Sequence, residues 1–417
     1  TLFRSPLYPF EFASRRGYLL QVDMSATTFF PYEEGTIDFD SVVKAQSLVK
    51  ENPKADKSLV GLNCEDFLYA LSALAFVNGE KKITLSGLLL FGTTKVIHQL
   101  VPTYGYSFQR LRNGAVLQND DIGANIIEAY SFFKGFVALL RSEEEYHVDG
   151  VRYAANVYDE DALREGFCNA IAHRDYALLG RVRVCEDESG VTISNPGSLV
   201  KGLRKDSLIS AAPRGRNPLL SDALKRLGYC EKSGRGVDRI YAGSARYGRS
   251  WPSYEGSDEA YVALFIPKSK IDGPFTHFLS SRGEGVSLLG IISLSYVRRA
   301  GQAKNEEIAL ALSMPLAREE TYLAELIRLG LLEKDGLFYR LPLEEGGSKP
   351  VVLQNEEIFA LVLKVGKANG GELRSADVQS ALGVQGDKAY SILKEMVKRG
   401  MLKPISKGKY ARYAVID

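Results

Sequence analysis

A stretch near the middle of the chain, REGFCNAIAHRDY, places three polar side chains at four-residue spacing: Glu165, Asn169 and His173. At about 100° per residue in a helix, each lies about 40° round from the one before. They form one polar stripe that presents a carboxylate, a carboxamide and an imidazole together, opposite an apolar stripe. This pattern favours a helix that covers a sheet and faces a cofactor cavity. The alternative is a solvated polar face with ordinary hydrogen bonds.

Two further segments have the residues to meet a ligand. ISNPG ends a predicted strand in a Pro-Gly break, where backbone amides and the side chain of Asn195 become available. Gly234 and Gly236 flank Arg235 just before a predicted helix, so free amides and the positive end of the helix dipole can meet phosphate. A glycine pair alone is weak evidence, because most such turns simply end helices.

These segments belong to one predicted unit, residues 150–268. Its elements are a helix from Asp161 to His173, a hairpin from about Arg181 to Ser194, and a long irregular stretch to Arg216. The helix NPLLSDALKRLG follows, with Asn217 as its cap, then a helix after SGRG and a closing strand, AYVALFIP. Helices interleaved with antiparallel strands predict an α+β sandwich.

Four other segments flank this unit. Residues 1–55 are rich in aromatic and β-branched residues and predict a β-rich segment, whereas residues 56–149 predict a smaller α/β unit. Within the latter, KKITLSGLLLFGTT predicts a polar turn followed by an apolar strand that ends at Gly92. Residues 275–345 and 346–417 both show the order of a helix-turn-helix followed by a β-hairpin wing, which predicts two winged helices.

Charge distinguishes the two predicted winged helices. Residues 286–341 hold seven Lys or Arg and seven Asp or Glu, whereas residues 371–417 hold nine against five, a net charge of +4. The second copy is therefore the better candidate for binding DNA, and the first is equally suited to docking or dimerisation. Candidate groove contacts in the second copy are Gln385, Lys388, Tyr390 and Lys394, and candidate phosphate contacts are Lys403, Lys407, Lys409 and Arg412.

Composition is that of an ordinary globular protein: 417 residues, 45% hydrophobic and 25% charged, with a formal net charge of +2. Because this net charge is small, the protein as a whole does not attract nucleic acid. DNA binding would therefore require a local basic patch. The four cysteines lack metal-ligand spacing, which predicts reduced, buried thiols. No apolar run is long enough to span a membrane and no secretory leader is evident, so a cytoplasmic location is predicted.

Residues 62–267 resemble the Schlafen/AlbA-type transcriptional regulators, whose C-terminal half is a GHKL-like ATPase domain (the gyrase, histidine kinase and MutL type). The motifs that carry the resemblance are LSGLLLFG, EGFCNAIAHRDY, VTISNPGSL and RNPLLSDALKRLGYCEKSGRGVDRI, in this order. Members also carry an AlbA-like nucleic-acid-binding domain, of which RRGYLLQVDMSATTFFPYEE would be the tail. The chain opens at Thr1 without an initiator methionine, so a segment preceding it is expected.

The resemblance implies a site for ATP and Mg²⁺. Asn169 would coordinate the magnesium ion, and Glu165 would orient or deprotonate the attacking water, in keeping with the preference of magnesium for oxygen ligands and with a carboxylate base. Asn195 and Gly197 would lie beside adenine. The family usually has an aspartate at the position of Asn195, and a carboxamide accepts the same hydrogen bond without charge.

The remaining implied contacts are with the phosphates and within the family's HRDY motif. Gly234 and Gly236 would cover the phosphates. His173 would belong to the nucleotide site, and Arg174 and Asp175 complete the motif. The alternative is that Arg174 and Asp175 simply pair with each other to close the helix.

The sequence thus predicts a GHKL-like sandwich preceded by a smaller α/β unit and followed by two winged helices. Its predicted function is a DNA-binding transcriptional regulator in which nucleotide binding orders residues 198–216 and changes how the winged helices are presented. A homodimer with nucleotide and double-stranded DNA as partners is expected. Two alternatives remain open: a catalytically silent scaffold for dimerisation and docking, or an active ATPase in nucleic-acid metabolism or defence.

Overall fold

The structure, a computed structural model, describes residues 23–33, 35–200, 202–209, 211, 215–230, 234–342, 359, 362–363, 366, 371–375, 377–378, 386–406 and 411–416. The chain divides into two compact units. The larger contains the described residues up to Arg298 together with Gln302–Pro342, and the smaller contains Arg299–Gly301 and the described residues beyond Leu343. Across the described ranges, no helix is long and apolar enough to cross a membrane.

The N-terminal part of the larger unit combines a small sheet with four helices. In chain order these elements are β1 (Thr28–Pro31), α1 (Phe39–Glu51), α2 (Cys64–Ala70), β2 (Leu74–Val77), β3 (Glu80–Thr84), α3 (Leu85–Phe91) and α4 (Thr94–Leu100). The three strands pair antiparallel in the order β1-β3-β2.

The apolar run LSGLLLF forms helix α3, so the predicted strand ending at Gly92 is wrong. Thr84 caps the helix, since its hydroxyl accepts a hydrogen bond of 3.0 Å from the Gly87 amide. All seven residues of α3 are buried, and a helix enclosed on every side can be apolar all round. Gly87 is required because a Cβ there would overlap the Ala73 carbonyl.

The central part of the larger unit is built on a five-stranded sheet. Its elements are β4 (Tyr106–Arg112), β5 (Ala115–Ile122), α5 (Ile126–Leu140), β6 (Glu143–Val148), β7 (Val151–Asn156), α6 (Glu160–His173), β8 (Val182–Glu186), β9 (Gly190–Pro196), α7 (Pro218–Arg226), α8 (Gly236–Ala245) and β10 (Tyr261–Pro267). The sheet has the order β10-β9-β8-β4-β5, with β4 and β8 parallel and the other pairs antiparallel. Strands β6 and β7 form a separate hairpin. The molecule is therefore a mixed α+β protein with a mixed sheet, which confirms the predicted fold class at this level.

The sheet crosses the domain boundary predicted at residues 149 and 150. Strands β4 and β5 precede that boundary, but β4 pairs in parallel with β8, from Tyr106 opposite Val182 to Arg110 opposite Glu186. Parallel neighbours need a long crossover connection. Helices α5 and α6 lie within that connection, so the two sequence segments contribute to one sheet.

Aromatic packing sets the orientation of α6. Phe167 on α6 stacks on Phe133 of α5, with ring centroids 4.2 Å apart, and its centroid is 5.9 Å from that of Phe108 on β4. These rings hold the apolar stripe of α6 against the sheet. The polar stripe lies on a different side of the helix, where it can line a cavity.

The last part of the larger unit is mainly helical. It contains α9 (Gly273–Arg282), α10 (Leu288–Ala300), β11 (Ala303–Lys304), α11 (Asn305–Ala311), α12 (Leu316–Arg328), β12 (Glu333–Asp335) and β13 (Phe338–Arg340). The short strands pair in the order β11-β13-β12. Helices α10, α11 and α12, followed by the β12–β13 hairpin, occur in the order that the sequence predicts.

The described residues of the smaller unit include one long helix and three short strands: β14 (Glu372–Arg374), α13 (Gly386–Lys398), β15 (Leu402–Pro404) and β16 (Arg412–Val415). The strands pair in the order β14-β16-β15. Leu373, Leu393, Met396 and Tyr413 are buried together and form the centre of its apolar core.

Candidate functional site

Helix α6 places the predicted polar stripe at the wall of a cavity. The helix begins after Asp159, whose carboxylate accepts a hydrogen bond of 2.8 Å from the Ala162 amide. Glu165, Asn169 and His173 all line a cavity of about 650 Å³. This volume lies within the range of ligand pockets, roughly 300–1,000 Å³.

The other walls of the cavity come from distant parts of the larger unit. They include the end of β9 at Asn195, residues in the range 198–211, the start of α7, the glycine turn before α8, and Arg318 on α12. Six of the seven residues predicted for the nucleotide site line this one cavity: Glu165, Asn169, His173, Asn195, Gly234 and Gly236. Gly197 lies beside the cavity rather than in its lining.

Glu165 is almost completely buried, with 2% of its surface exposed. Its carboxylate packs against the first residue of α8, because a Cβ on Gly236 would overlap Glu165 Oε1. Helices α6 and α8 can approach this closely only with glycine at position 236. The carboxylate thus lies at the positive end of the α8 dipole, which stabilises a negative charge there.

Asn195 lies at the end of β9 with 3% of its surface exposed. Its Nδ2 donates a hydrogen bond of 3.1 Å to the Pro196 carbonyl. In this orientation Oδ1 is the atom left to accept a hydrogen bond. Asn195 can therefore offer a ligand a hydrogen-bond acceptor, as the aspartate that is usual at this position in the resembled family would, although without a charge.

Gly197 shapes the chain just after β9. Its φ of +107° lies in the left-handed region, and a Cβ there would come within 2.9 Å of the Asp175 Cβ. The Asp175 amide also donates a hydrogen bond of 2.9 Å to the Pro196 carbonyl. Gly197 thus allows the end of β9 to pack on the segment after α6, which is a structural role.

His173 is a neutral imidazole in this setting. Burial, with the positive charges of Arg216 and Lys225, lowers its pKa to about 4. Its Nδ1 is buried and has no hydrogen-bond partner among the described residues. His173 lines the cavity, but this nitrogen has no accessible surface and so does not itself face the cavity.

Arg174 and Asp175 do not pair with each other as the simpler reading of the motif supposes. Arg174 is 1% exposed and donates hydrogen bonds to the carbonyls of Leu178 and Gly180, at 3.3 and 2.6 Å. Asp175 instead pairs with Arg216, Oδ2 to Nη1, at 3.0 Å. Arg216 is 41 residues further along the chain and also donates to the Ser198 carbonyl at 3.0 Å. The pair therefore holds the chain on both sides of the cavity.

Asn217 occupies the predicted capping position of α7, but its side chain serves a different helix. Its Nδ2 donates to the carbonyls of Ala172 and Arg174 at 3.0 and 2.9 Å, which satisfies the C-terminal end of α6. Asn217 is therefore the N-cap residue of α7 by position, as predicted, but its side chain makes no capping hydrogen bond to that helix. The amides at the start of α7 are satisfied by Asp23 and Ser25, at 2.7 and 3.1 Å.

The sequence analysis missed several charged residues of the cavity wall, namely Asp222, Lys225, Asp238 and Arg318. Burial raises the pKa of the Asp238 carboxyl to about 6, against the opposing positive charges of Arg235 and Arg318. Asp222, Lys225 and Asp238 lie within the motif RNPLLSDALKRLGYCEKSGRGVDRI, but the motif does not indicate that these side chains meet α6, and only the fold brings Arg318 there. The cavity wall thus carries both acidic and basic side chains, which suits a polar ligand rather than an apolar one.

The cysteines differ from their predicted burial. Cys168 is fully buried on α6, whereas Cys64, Cys185 and Cys230 are only partly buried. Cys168 donates a hydrogen bond of 3.3 Å to the Tyr229 carbonyl, and burial raises the pKa of its thiol. Cys168 thus fits a structural position in the core rather than a reactive one.

The candidate DNA contacts lie in the smaller unit. Tyr390 and Lys394 are exposed on α13, Lys403 is exposed on β15, and Arg412 is exposed on β16 with Glu372 at 3.5 Å. Lys388 belongs to α13, but its side chain is outside the described part of the structure. Gln385, Lys407 and Lys409 lie outside the described residues altogether.

The comparisons with known proteins address the central part of the chain. Residues 181–265 match a family model described as "Putative ATP-dependent DNA helicase recG C-terminal", so an ATPase-like domain is present. The matched range runs from β8 to β10 and includes Asn195, Gly234 and Gly236, whereas Glu165 and Asn169 precede it. Residues 23–107 match a second model, a domain of unknown function designated DUF8451.

A solved structure shows the same overall fold. The DIP2311 protein from Corynebacterium diphtheriae matches with a TM-score of 0.65 and 18% sequence identity, over 81% of this chain and 68% of that chain. At this identity the similarity concerns the fold alone. Comparison with curated proteins gives no match.

Proposed function

We propose that the ATPase-like domain binds ATP with magnesium in the cavity beside α6, in a GHKL-like arrangement. The observation that carries the proposal is the convergence of Glu165, Asn169, His173, Asn195 and the glycine turn on one cavity of about 650 Å³. These residues come from segments up to 71 positions apart in the sequence. A solvated polar face on α6 would not require the other segments to meet it.

The residues present fit a magnesium nucleotide. Asn169 offers a hard oxygen ligand on the cavity wall. Gly234 has a φ of +73°, and α8 begins two residues later without a side-chain cap, so backbone amides of this turn are available to phosphate. Bound magnesium would neutralise phosphate charge. Asn169 would hold it at the phosphate end of the cavity.

At the opposite end, Asn195 and His173 would bind the base. Oδ1 of Asn195 would accept a hydrogen bond from the exocyclic amine of adenine, and His173, which also lines the cavity, would contact the base or the ribose. Because Asn195 is uncharged, we expect weaker binding and weaker selectivity for adenine than an aspartate would give.

Glu165 would orient the attacking water or accept its proton. Its carboxylate packs against Gly236, at the place where the phosphates would lie, so it is positioned on the correct side of the cavity. Its burial and contact with α8 also restrict its access to water. We therefore propose nucleotide binding first, with slow hydrolysis as a secondary activity.

We further propose that the chain is a DNA-binding transcriptional regulator of the Schlafen/AlbA type. The helices and hairpin of residues 288–340 have the element order of a winged helix, and the smaller unit has a long helix that packs one face in its core and exposes Tyr390 and Lys394. Tyr390, Lys394, Lys403 and Arg412 would contact DNA from the smaller unit. We expect the protein to act as a homodimer, which sedimentation velocity tests directly.

The nucleotide proposal is tested by calorimetric titration of magnesium-ATP into the full chain. Wild type and Asn119→Ala, an exposed change on β5, should bind equally, whereas Asn169→Ala should lose most of the magnesium-dependent affinity. Absence of heat from wild type would favour the alternative, a catalytically silent scaffold. Steady phosphate release that disappears in Glu165→Gln would instead establish an active ATPase.

DNA binding is tested with the full chain and a labelled duplex. Binding should weaken steeply with salt, and Lys394→Ala or Lys403→Ala should each reduce the slope of log affinity against log salt by about 1. Lys95→Ala, an exposed lysine on α4 in the larger unit, is the matched control. Retention that is absent or independent of salt would assign the smaller unit to docking.

A further inference from the structure

The ion pair between Asp175 and Arg216 lies directly behind the wall of the cavity. Only 17% of the Asp175 side chain and 13% of the Arg216 side chain are exposed. Neither residue is part of the cavity lining, but their neighbours in the chain are. His173 lies two residues before Asp175, and Gly215 and Pro218 flank Arg216 and its successor. The pair is thus placed to act on a ligand through these neighbours and not by touching it.

The pair holds the chain at the end of β9. The Asp175 amide donates a hydrogen bond of 2.9 Å to the Pro196 carbonyl. The Nη2 atom of Arg216 donates one of 3.0 Å to the Ser198 carbonyl. Gly197 lies between these two carbonyls, where a Cβ would come within 2.9 Å of the Asp175 Cβ. The end of β9 is therefore attached to the ion pair on both sides of Gly197.

A second attachment, next to the pair, fixes the end of α6. Asn217 follows Arg216 in the chain. Its Nδ2 donates hydrogen bonds to the carbonyls of Ala172 and Arg174, at 3.0 and 2.9 Å. These two residues flank His173, so the segment that carries Arg216 also sets the position of His173.

These attachments bring the two proposed base contacts together. His173 is the last residue of α6 and Asn195 lies at the end of β9, and both line the cavity. A helix and a strand have no fixed separation unless contacts between them supply it. The ion pair supplies such contacts, and its low exposure strengthens it because water competes less for its charges.

We propose that Asp175 and Arg216 are positioning residues for the base end of the cavity, where they hold His173 and Asn195 in the arrangement that recognises adenine. This inference rests on the nucleotide site proposed above. It gives the aspartate of the HRDY motif a role that requires no contact with the ligand. Loss of the pair should therefore reduce recognition of the base more than the binding of the phosphates.

The test compares magnesium-ATP with magnesium-ITP, since inosine carries an oxygen in place of the exocyclic amine that Asn195 would bind. Both nucleotides are titrated by calorimetry into the full-length wild type, Asp175→Asn, Arg216→Gln and Arg216→Lys. Arg112→Gln is the matched control, because it removes an ion pair of 2.6 Å with Glu186 that lies outside the cavity lining. Thermal unfolding verifies that each variant is folded. If Arg216→Gln does not fold, Asp175→Asn, which is nearly equal in shape to the wild type, carries the comparison.

Wild type should bind ATP about tenfold more tightly than ITP, roughly the contribution of one hydrogen bond. Asp175→Asn and Arg216→Gln should lose most of this preference through weaker binding of ATP. Arg216→Lys should keep more of it than Arg216→Gln, because an ammonium can still pair with Asp175, and Arg112→Gln should behave as wild type.

A purely structural role predicts a different result, in which both nucleotides lose affinity by the same factor. Equal losses for ATP and ITP, or no loss for either, would overturn the positioning role while leaving the nucleotide site intact. Failure of wild type to bind ATP would instead refute the proposed site, and the positioning role with it. Binding of ATP by wild type without preference over ITP would refute the proposed base contact of Asn195.

Discussion

His173 and Asp238, both in the cavity wall, should make stability depend on pH in opposite directions. The pKa of His173 is about 4 in the folded protein against an ordinary value of 6.5, because of burial and the charges of Arg216 and Lys225. Between these values the unfolded chain binds a proton that the folded protein does not. Stability is therefore lost as pH falls from about 6.5 toward 4.

The effect of Asp238 has the opposite sign. Its pKa is about 6 in the folded protein against an ordinary value of 3.8, because of burial. Between these values the folded protein binds a proton that the unfolded chain does not. The stability that this proton contributes is present at low pH and is lost as pH rises through about 6.

The two effects partly offset each other in the wild type, which should lose about 1 kcal/mol on lowering the pH, and they separate in single variants. One pKa unit corresponds to about 1.4 kcal/mol, so lowering pH from 7.5 to 5 should cost about 2 kcal/mol through His173 and restore about 1 kcal/mol through Asp238. Asp238→Asn should therefore lose about 2 kcal/mol over this interval, and His173→Gln should gain about 1 kcal/mol.

Urea denaturation at pH 7.5 and pH 5 measures these differences, in the absence of nucleotide and magnesium. The double variant, in which neither group titrates, is the control for all other ionisable groups. Wild type should lie between the two single variants. If Asp238→Asn were as stable at pH 5 as at pH 7.5 after this correction, His173 would not be held neutral by burial, and its assignment to a closed cavity wall would be refuted.

Two further changes test the packing around α6 and α7 by chemical denaturation. Gly236→Ala should destabilise the protein, because overlap with the Glu165 carboxylate costs about 1–3 kcal/mol and outweighs a gain of about 1 kcal/mol in helix propensity. Gly135→Ala, in α5 with open space around it, should instead stabilise by about 0.5–1 kcal/mol, and equal behaviour of the two variants would mean that α6 and α8 are not in tight contact. Asp23→Ala should cost about 1 kcal/mol by removing the cap on the α7 amides, and Asp23→Asn should recover most of it; a neutral Asp23→Ala would show that this segment does not dock on α7.

The stripe on α6 could be predicted because all its determinants are local. Four-residue spacing places Glu165, Asn169 and His173 on one side, and the apolar residues between them on the other. The observed helix, Glu160–His173, begins one residue before the predicted start because Asp159 is its cap. The motifs around Asn195 and Gly234 were likewise visible as turn signals in the sequence.

The charged partners of the stripe could not be predicted, because their contacts are far apart in sequence. Arg216 pairs with Asp175 across 41 residues, and Arg318 reaches the cavity from a separate group of helices. Such pairings follow from how helices and strands pack, and no spacing in the sequence encodes them. The burial that shifts the pKa of Asp238 is equally a product of the fold.

Two local signals were present but were used differently by the fold. The run LSGLLLF is apolar at every position, and such a run has no period that separates a strand from a helix. The run is a helix in the structure, where the Thr84 hydroxyl caps its start and Gly87 allows close packing against Ala73. Asn217 does precede a helix, yet its side-chain amide donates hydrogen bonds to two carbonyls at the end of α6.

The caps of α7 link the N-terminal segment to the proposed nucleotide site. Asp23 and Ser25 bond to the amides of Leu219 and Leu220, while the same helix lines the cavity through Ser221 and neighbouring residues. Helix amides left without partners in a buried setting are costly, so α7 depends on the segment at residues 23–26. The matched ranges 23–107 and 181–265 are therefore physically joined at the cavity. A ligand that binds the cavity only when α7 is in place should also stabilise the hydrogen bonds from Asp23 and Ser25 to α7. The reason is that binding to the folded state favours every contact on which that state depends.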